Sequence, residues 1–260
     1  MYDDPVARPP AGTRASEPVA PPRARVVAEL ARTIDGVRFG PPDGSLVWLA
    51  VVLSTAALGI AAVALAMAQD GGVSSLDLRI LRAIASVRTE SLDRFFRAVH
   101  ALQTPALVIV IGGCAAVFVW RRRWWNAATL LVVIPGGMLA NSAGKWFVQR
   151  GRPDLPRLVA AHGYSFPSGH VVATTLACLY LLTIVFLATT DRAIRFVAIT
   201  VAGIVIALVA VSRPYLQVHY PSDSIGAVLA GIAWTSTILL AAGAIERAST
   251  PRGFVEIANR

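Results

Sequence analysis

Two histidines and one aspartate stand at the ends of long apolar runs, where ionisable side chains are costly unless they have a function. His170 begins one run, and His219 and Asp223 lead into another. An imidazole with a near-neutral pKa can attack phosphorus, or protonate a leaving oxygen, without a metal ion. Asp223 lies one helical turn after His219, so its carboxylate can accept the imidazole N–H. This spacing predicts that His219 is a nucleophile oriented by Asp223, with His170 as general acid and base.

Three cations stand at the ends of the other apolar runs or close beyond them, namely Lys145, Arg152 and Arg213. Arginine presents a fork of N–H groups that matches phosphate oxygens, whereas lysine acts as a point charge. Ser168 adds a hydroxyl donor, and Gly169 lets the backbone approach an anion closely where a helix begins. Together these five residues predict a cradle for a phosphoryl group, whose charges stabilise the transition state of its transfer.

Six uncharged apolar runs must position these residues. About 20 helical residues cross the hydrocarbon core of a bilayer, and each run is 17 to 24 residues long. Successive spans alternate in direction, so the loop between the third and fourth spans shares a membrane face with the loop between the fifth and sixth. The sequence therefore predicts an all-α fold, a bundle of six transmembrane helices with the site residues at one face. The runs are Leu46–Gln69, Ala101–Trp120, Trp124–Gly144, Val171–Thr190, Phe196–Ser212 and Ser224–Ile245.

Three segments around these residues resemble the signature motifs of the type 2 phosphatidic acid phosphatase superfamily, which also includes vanadium haloperoxidases and glucose-6-phosphatase. The segments are Lys145-Trp-Phe-Val-Gln-Arg-Gly-Arg152-Pro153, Pro167-Ser168-Gly169-His170 and Ser212-Arg213-Pro-Tyr-Leu-Gln-Val-His219-Tyr-Pro-Ser-Asp223. They match in order and internal spacing, and the six-span layout extends the resemblance to about residues 45–245. The resemblance implies a bacterial membrane phosphatase without a metal or other cofactor. It also implies His219 as nucleophile, Asp223 as its partner and His170 as acid. The phosphate would be bound by Lys145, Arg152, Ser168, Gly169 and Arg213.

Composition agrees with a membrane protein. The chain is 55% hydrophobic and 15% charged, whereas a soluble domain carries about 25% charged residues. The net charge is +9, but the basic residues form no stripe interleaved with aromatics, so a nucleic-acid partner is not expected. Cys114 and Cys178 lie in separate apolar runs and are interpreted as small apolar fillers. The expected partners are the lipid bilayer and a membrane-anchored lipid phosphate. The oligomeric state stays open.

Outside a phosphatase domain at residues 45–245, three segments are expected. Residues 1–24 are predicted to be a disordered cytoplasmic tail, residues 25–44 an amphipathic interfacial helix, and residues 246–260 a second cytoplasmic tail. With the N-terminus in the cytoplasm, 14 basic residues are inside and ten outside. Three of the ten belong to the predicted site, which leaves 14 against seven. This distribution favours cytoplasmic termini and a site on the outer face of a bacterial cytoplasmic membrane.

The first outer loop, Gln69 to His100, carries two apolar stripes at helical spacing. They predict one or two interfacial helices that either guide an amphiphilic substrate or pack against the bundle. The stripes are Leu76, Ile80, Leu81 and Ile84, and Leu92, Phe95, Phe96 and Val99. Of four other polar residues near the site, Arg150 and Arg157 are expected to snorkel or to cap a helix end, and His100 and His162 are expected to have structural roles.

The function predicted from these residues is hydrolysis of lipid phosphate monoesters or diphosphates at the outer membrane face through a phosphohistidine intermediate. Phosphatidic acid and polyprenyl diphosphates such as undecaprenyl diphosphate are candidate substrates. One alternative is a phosphotransferase with the same histidine chemistry, which passes phosphate to an alcohol. Another is a lipid or anion transporter. The ionisable residues cluster at one face and leave the spans nearly free of charge, which favours surface chemistry over passage.

Overall fold

The computed structural model describes residues 52–53, 56–57 and 72–249, and all regular structure in these residues is helical. The all-α prediction is therefore confirmed. The predicted segments 1–24 and 25–44, the first apolar run apart from four helical residues, and residues 250–260 of the tail lie outside the described residues. The helices are α1 (Gly72–Ser86), α2 (Glu90–Trp120), α3 (Trp124–Leu131), α4 (Gly137–Val148), α5 (Gly169–Ala188), α6 (Arg192–Tyr215) and α7 (Pro221–Ser249), with a π-helical turn (Val132–Gly136) joining α3 to α4.

Five helical segments of the described chain are long and apolar enough to cross a membrane. They correspond to the second to sixth predicted spans, with α3, the π-helical turn and α4 forming one span from Trp124 to Val148. The outer surface of the bundle is apolar. Ile109 on α2 and Phe196 on α6 are 72% and 70% exposed, as expected for side chains that face lipid hydrocarbon.

The third span contains Pro135, which lacks a backbone N–H and would break a helix in water. Here Pro135 lies in the π-helical turn, and the indole Nε1 of Trp234 on α7 donates to the carbonyl oxygen of Val132 at 3.2 Å. A neighbouring span thus supplies a hydrogen bond where the α-helical pattern is interrupted, which is how membrane helices tolerate proline.

Helix α5 is the centre of the bundle and packs against α2, α4, α6 and α7. It is apolar on all sides, as expected for a helix surrounded by protein. Its residues Leu176, Ala177 and Tyr180 are fully buried, and the Tyr180 hydroxyl donates to the carbonyl of Asn126 on α3 at 3.0 Å. The N-terminus of this central helix carries the predicted residues Ser168, Gly169 and His170.

The segment predicted as the first outer loop differs in part from the prediction. Its first stripe forms the separate helix α1, which packs against α6 and α7 and buries Leu81 completely. Its second stripe is the start of α2, capped by the Thr89 hydroxyl, which accepts from Leu92 N at 3.3 Å. No helix-breaking residue separates Val99 from the apolar run, so the helix continues without a break. Of the two roles considered for α1, packing against the bundle is the one observed.

Candidate active site

The predicted site residues lie at one end of the bundle. Helix α4 ends at Val148, and its C-cap residue Gln149, in a left-handed conformation (φ 50°), turns the chain into the loop 150–168. Helix α6 ends at Tyr215, and Gln217, also at positive φ (59°), turns the chain toward α7. Hydrogen bonds join the loop 150–168 to the end of α6 and to the first turn of α7, from Leu158 N to Leu216 O at 3.1 Å and from Ser168 N to Asp223 O at 3.3 Å.

His219 and Asp223 form a buried pair. The imidazole Nδ1 of His219 lies 3.4 Å from the Asp223 Oδ2 and 3.3 Å from the Ser165 hydroxyl. Ser165 in turn donates to the same Asp223 oxygen, which also accepts from Tyr220 N at 2.9 Å. Asp223 therefore reaches back across the first turn of α7 as predicted, and Ser165, which the sequence did not single out, bridges both members of the pair.

The neighbours of His219 fix its tautomer. Its Nε2 lies 3.1 Å from Nη1 of Arg152, and a guanidinium can only donate, so Nε2 is the acceptor. The ring proton is then on Nδ1, facing Asp223 and Ser165. Burial lowers the pKa of His219 to about 4; the Asp223 carboxylate opposes this shift, and the charges of Arg152 and Lys145 add to it. The result is a neutral imidazole with a lone pair on Nε2.

Arg152 and Lys145 converge on the loop that carries Ser165. Arg152 donates to the carbonyls of His162 at 2.8 Å, Gly163 at 3.0 Å and Val218 at 2.7 Å. Lys145 Nζ donates to Tyr164 O at 2.8 Å. Burial is the main cause that lowers the pKa of Arg152 below its ordinary value, but an arginine stays charged in proteins. Two of the three predicted cations therefore lie around His219.

Ser168 and Gly169 lie beside this pair of cations. A side-chain carbon at Gly169 would lie 4.0 Å from Cε of Lys145 and 3.4 Å from Nδ2 of Asn141, so the N-terminus of α5 faces Lys145. Ser168 is the N-cap residue of α5 and is fully buried. Its hydroxyl has no hydrogen-bond partner within the described part of the protein. A buried polar group without a hydrogen-bond partner is costly unless a ligand supplies the missing hydrogen bond.

The third cation, Arg213, is 1% exposed. Its Nε donates to the Ser212 hydroxyl at 2.8 Å and its Nη1 to His100 Nδ1 at 3.1 Å. Its Nη2 has no partner among the described residues. The rings of His100 and His170 lie 5.2 Å apart, and His170 is within electrostatic range of Arg213, His219 and Arg152.

A groove of about 540 Å³ opens beside this cluster. Gly169 and His170 line one end, and apolar side chains such as Leu107, Ile111 and Met138 line the rest. Along α2 it extends from Gln103 to Gly112, which is about 14 Å at the rise of an α-helix. This length is about half the hydrocarbon thickness of a bilayer, roughly 30 Å.

The expectation that Arg150 snorkels or caps a helix end is wrong. Its guanidinium lies between two buried carboxylates, with Nη1 2.6 Å from Asp223 Oδ1 and Nη2 2.7 Å from Asp77 Oδ2 on α1. The loop after α4 folds back under Asp223, so a residue next to a span end is drawn into the interior. A sequence signal was present for Asp77, since it shares a helical face with Leu81 and Ile84 in an otherwise apolar stripe. Arg157, in contrast, bonds a local carbonyl, Pro153 O, at 3.2 Å, as expected.

The packing behind Ser165 depends on a glycine. A side-chain carbon at Gly226 of α7 would lie 2.3 Å from Cε2 of Phe166, so the Phe166 ring can lie on α7 only because this position has no side chain. Phe166 is 4% exposed, and it follows Ser165 directly. Its packing therefore holds the Ser165 loop against the helix that carries Asp223.

Comparison with known proteins identifies the chain. A family model described as PAP2 superfamily matches residues 126–246. A phosphatidylglycerophosphatase B of Bacillus subtilis is 31% identical over 168 residues, which cover 62% of this chain and 80% of that protein. The chain belongs to the PAP2 superfamily. A decaprenylphosphoryl-5-phosphoribose phosphatase of Mycobacterium tuberculosis is 30% identical over 139 residues, 51% of this chain and 66% of that protein.

Solved structures agree with this assignment. A transmembrane PAP2-type phosphatidylglycerolphosphate phosphatase from Bacillus subtilis superposes with a TM-score of 0.62 at 25% identity, covering 77% of this chain and 98% of that chain. The fold is shared with LpxE of Aquifex aeolicus, at a TM-score of 0.50 and 23% identity over 66% of this chain and 97% of that one. This PAP2 protein is thus a multi-pass membrane hydrolase of phosphoric esters, a lipid phosphate phosphatase. Among its described residues, no group of His, Cys, Asp and Glu side chains could hold a metal ion.

Proposed function

We propose that the protein hydrolyses lipid phosphate monoesters or diphosphates through a phosphohistidine formed on His219. The observation that supports this most directly is the state of His219, a neutral imidazole whose Nε2 carries a lone pair and lies 3.1 Å from Arg152. A phosphoryl group that approaches Nε2 would meet Arg152 and Lys145. It would also offer oxygens to the buried donors Ser168 Oγ and Arg213 Nη2, which lack partners in the described residues.

In the first step, Nε2 of His219 attacks phosphorus and the bond from phosphorus to the leaving oxygen breaks. His170 gives its proton to that oxygen, which departs as the lipid alcohol or monophosphate. Lys145, Arg152 and Arg213, with Ser168 and the backbone N–H of Gly169, bind the phosphoryl oxygens as charge spreads over them. The imidazole becomes positive as its nitrogen bonds to phosphorus, and Asp223 stabilises that charge through Nδ1–H.

In the second step, water attacks the phosphohistidine. His170, now neutral, accepts a proton from the water as the new oxygen–phosphorus bond forms. The bond from phosphorus to Nε2 breaks, its electron pair returns to the imidazole, and inorganic phosphate is released. His219 and His170 are then restored to their starting states.

The apolar groove at His170 supports a substrate anchored in the membrane. Its polar end adjoins the general acid, and its length along α2 matches about one leaflet, so one lipid chain would lie in it while the headgroup reaches His219. The names of the relatives, a phosphatidylglycerophosphatase and a decaprenylphosphoryl-phosphoribose phosphatase, are consistent with this class of substrate. The charge distribution of the loops supports cytoplasmic termini and a site on the outer face of the cytoplasmic membrane.

Phosphate release by the purified protein in detergent tests the chemistry. Phosphatidic acid, phosphatidylglycerophosphate and undecaprenyl diphosphate would each be assayed with and without a chelator. His219→Gln should abolish release, whereas His162→Gln, an exposed histidine of the same region, should leave it intact. The reaction of wild-type protein with labelled substrate would also be quenched rapidly in acid or in alkali. Label should stay on the protein after the alkaline quench, because phosphohistidine survives there. Full activity of His219→Gln would refute the proposal.

The role of the groove is tested by filling it. Ala173→Phe places a ring among the groove residues of α5, and Ala207→Phe places the same ring on the exposed face of α6 as a matched control. KM for a long-chain lipid phosphate should rise in Ala173→Phe, while hydrolysis of a short, water-soluble phosphate ester stays unchanged. Equal effects of both variants on the long-chain substrate would remove the groove from the proposal.

A further inference from the structure

Arg150 bonds groups behind the nucleophile, and in the described part of the protein its side-chain hydrogen bonds go to Asp77, Ser222 and Asp223, not to the predicted phosphate-binding residues. Its Nη1 donates to Asp223 Oδ1 at 2.6 Å and to the Ser222 hydroxyl at 2.7 Å. Its Nη2 donates to Asp77 Oδ2 at 2.7 Å, and its guanidinium stacks over the Tyr220 ring with 4.1 Å from Cζ to the centroid. Arg150 thus lies between two carboxylates and a ring, and it holds Oδ1 of Asp223, the oxygen that does not face His219.

Asp77 fixes the other end of this network. It is 3% exposed, and its Oδ1 accepts from Ser222 N at 3.0 Å. Ser222 N is one of the N–H groups at the start of α7 that have no acceptor within the helix. The Ser222 hydroxyl donates to its Oδ2. Helix α1 makes a second bond to the turn, because Gln217 Nε2 donates to Leu81 O at 3.2 Å. The residues on both sides of His219 are thus tied to α1.

The electrostatics of the network match what His219 needs. Asp77 and Asp223 are two carboxylates that share one cation, Arg150, so the group keeps a negative charge beside the imidazole. Such a charge favours the positive imidazole that forms on phosphorylation. Arg150 also holds Oδ1 of Asp223, and this bond opposes rotation of the carboxylate away from Nδ1 of His219.

We propose that Asp77 and Arg150 are positioning residues for the nucleophile, which act through Asp223 and the first turn of α7 and do not bind the phosphate. This inference rests on the proposed function of His219. It adds a helix of the outer loop, α1, to the catalytic apparatus. It also separates the two arginines of the Arg150-Gly-Arg152 segment into one that holds the nucleophile and one that faces the phosphoryl group.

The test is a split between turnover and binding. Arg150→Gln and Asp77→Asn should lower kcat, by about 100-fold for Arg150→Gln and at least ~10-fold for Asp77→Asn. KM and the inhibition constant of inorganic phosphate should stay within about 3-fold of wild type, because neither residue contacts the phosphate site. Arg150→Lys keeps the charge and one bond to Asp223, so it should recover part of kcat. The double variant Asp77→Asn/Arg150→Gln should be no worse than Arg150→Gln, since both residues act through Asp223.

Asp93→Asn is the matched control. Asp93 also pairs with an arginine, Arg88, at 2.8 Å, and accepts from the Tyr215 hydroxyl at 2.8 Å, but it has no bond to Asp223. Asp93→Asn should lower the melting temperature and leave kcat of the folded protein unchanged. If Arg150→Gln does not fold, Arg150→Lys and the near-isosteric Asp77→Asn carry the test.

Two results would overturn the inference. In one, Asp77→Asn and Arg150→Lys keep wild-type kcat while His219→Gln is inactive, which would leave the proposed function standing and the positioning role refuted. In the other, all three lose activity through a higher KM and a weaker phosphate affinity, which would place Asp77 and Arg150 in substrate binding. Full activity of His219→Gln, by contrast, is a failure of the proposed function itself.

Discussion

Ser165→Ala is the most direct test of how Asp223 and His219 work together. The Ser165 side chain is fully buried, donates to Asp223 Oδ2 and lies 3.3 Å from His219 Nδ1. Without it, Asp223 keeps Arg150 and Tyr220 N as donors, so the carboxylate remains charged. His219 Nδ1 is left with Asp223 alone at 3.4 Å.

The expected magnitude follows from one lost hydrogen bond to a charged group. Such a bond contributes about 1.5–3 kcal/mol, and each 1.36 kcal/mol is tenfold in rate. Because the bond acts on the orientation of the nucleophile, kcat should fall by about 10- to 100-fold while KM changes by less than about 3-fold. Steady-state phosphate release over a range of lipid phosphate concentrations in detergent measures both constants.

Ser224→Ala is the control for this prediction. Ser224 is also buried and follows Asp223 in the first turn of α7. Its hydroxyl, however, donates to Ala210 O at 2.9 Å, away from His219. Its kcat should match wild type. A kcat in Ser165→Ala that equals that of Ser224→Ala would refute the view that Ser165 orients the pair.

Three further predictions concern protonation, phosphate binding and packing. With the pKa of His219 at about 4, the imidazole stays neutral in acid, and the acidic limb of the kcat/KM profile should lie near pH 4. A histidine in the unfolded chain takes up its proton near pH 6.5, so His219 should reduce the free energy of unfolding as pH falls from about 6.5 to 4. An acidic limb near pH 6.5 would contradict the lowered pKa on which both expectations rest. Arg213→Lys, which replaces a fork by a point charge, should weaken competitive inhibition by inorganic phosphate by about 10-fold or more, and an unchanged inhibition constant would remove Arg213 from the phosphate site. Gly226→Ala should cost about 1–3 kcal/mol of stability by displacing Phe166, which is measured as a lower melting temperature. Gly203→Ala is the control and should not lower the melting temperature, because a side-chain carbon there meets nothing within 4 Å. Equal melting temperatures of the two variants would argue against tight packing at Gly226.

The sequence predicts the part of the molecule that follows from periodicity and alternation. Apolar runs of span length indicate the helices, and the alternating direction of the spans is enough to place Lys145, His170 and His219 at one end of the bundle. The spacing of His219 and Asp223 likewise predicts their pairing, because one helical turn separates them.

What the sequence did not predict depends on partners far apart in the chain. Arg150 and Asp77 are 73 residues apart, and no local pattern shows that the loop after α4 folds under Asp223. Ser165 is one of several small polar residues in its loop, and its role depends on how Phe166 packs on Gly226. The second stripe of residues 69–100 was predicted to be part of an interfacial helix, but it is the start of α2, because the helix continues through His100 into the apolar run.

The tie between α1 and α7 has a consequence for how the protein is made. Synthesis proceeds from the N-terminus, so Asp77 is produced first, Arg150 follows 73 residues later, and Ser222 comes 145 residues after Asp77. Until α7 is inserted, Asp77 and Arg150 lack the helix end that they bind, and His219 itself has not been added to the bundle. On the proposed mechanism, a partly synthesised chain therefore holds the phosphate-binding cations but no nucleophile, and lipid hydrolysis would begin only when α7 is in place.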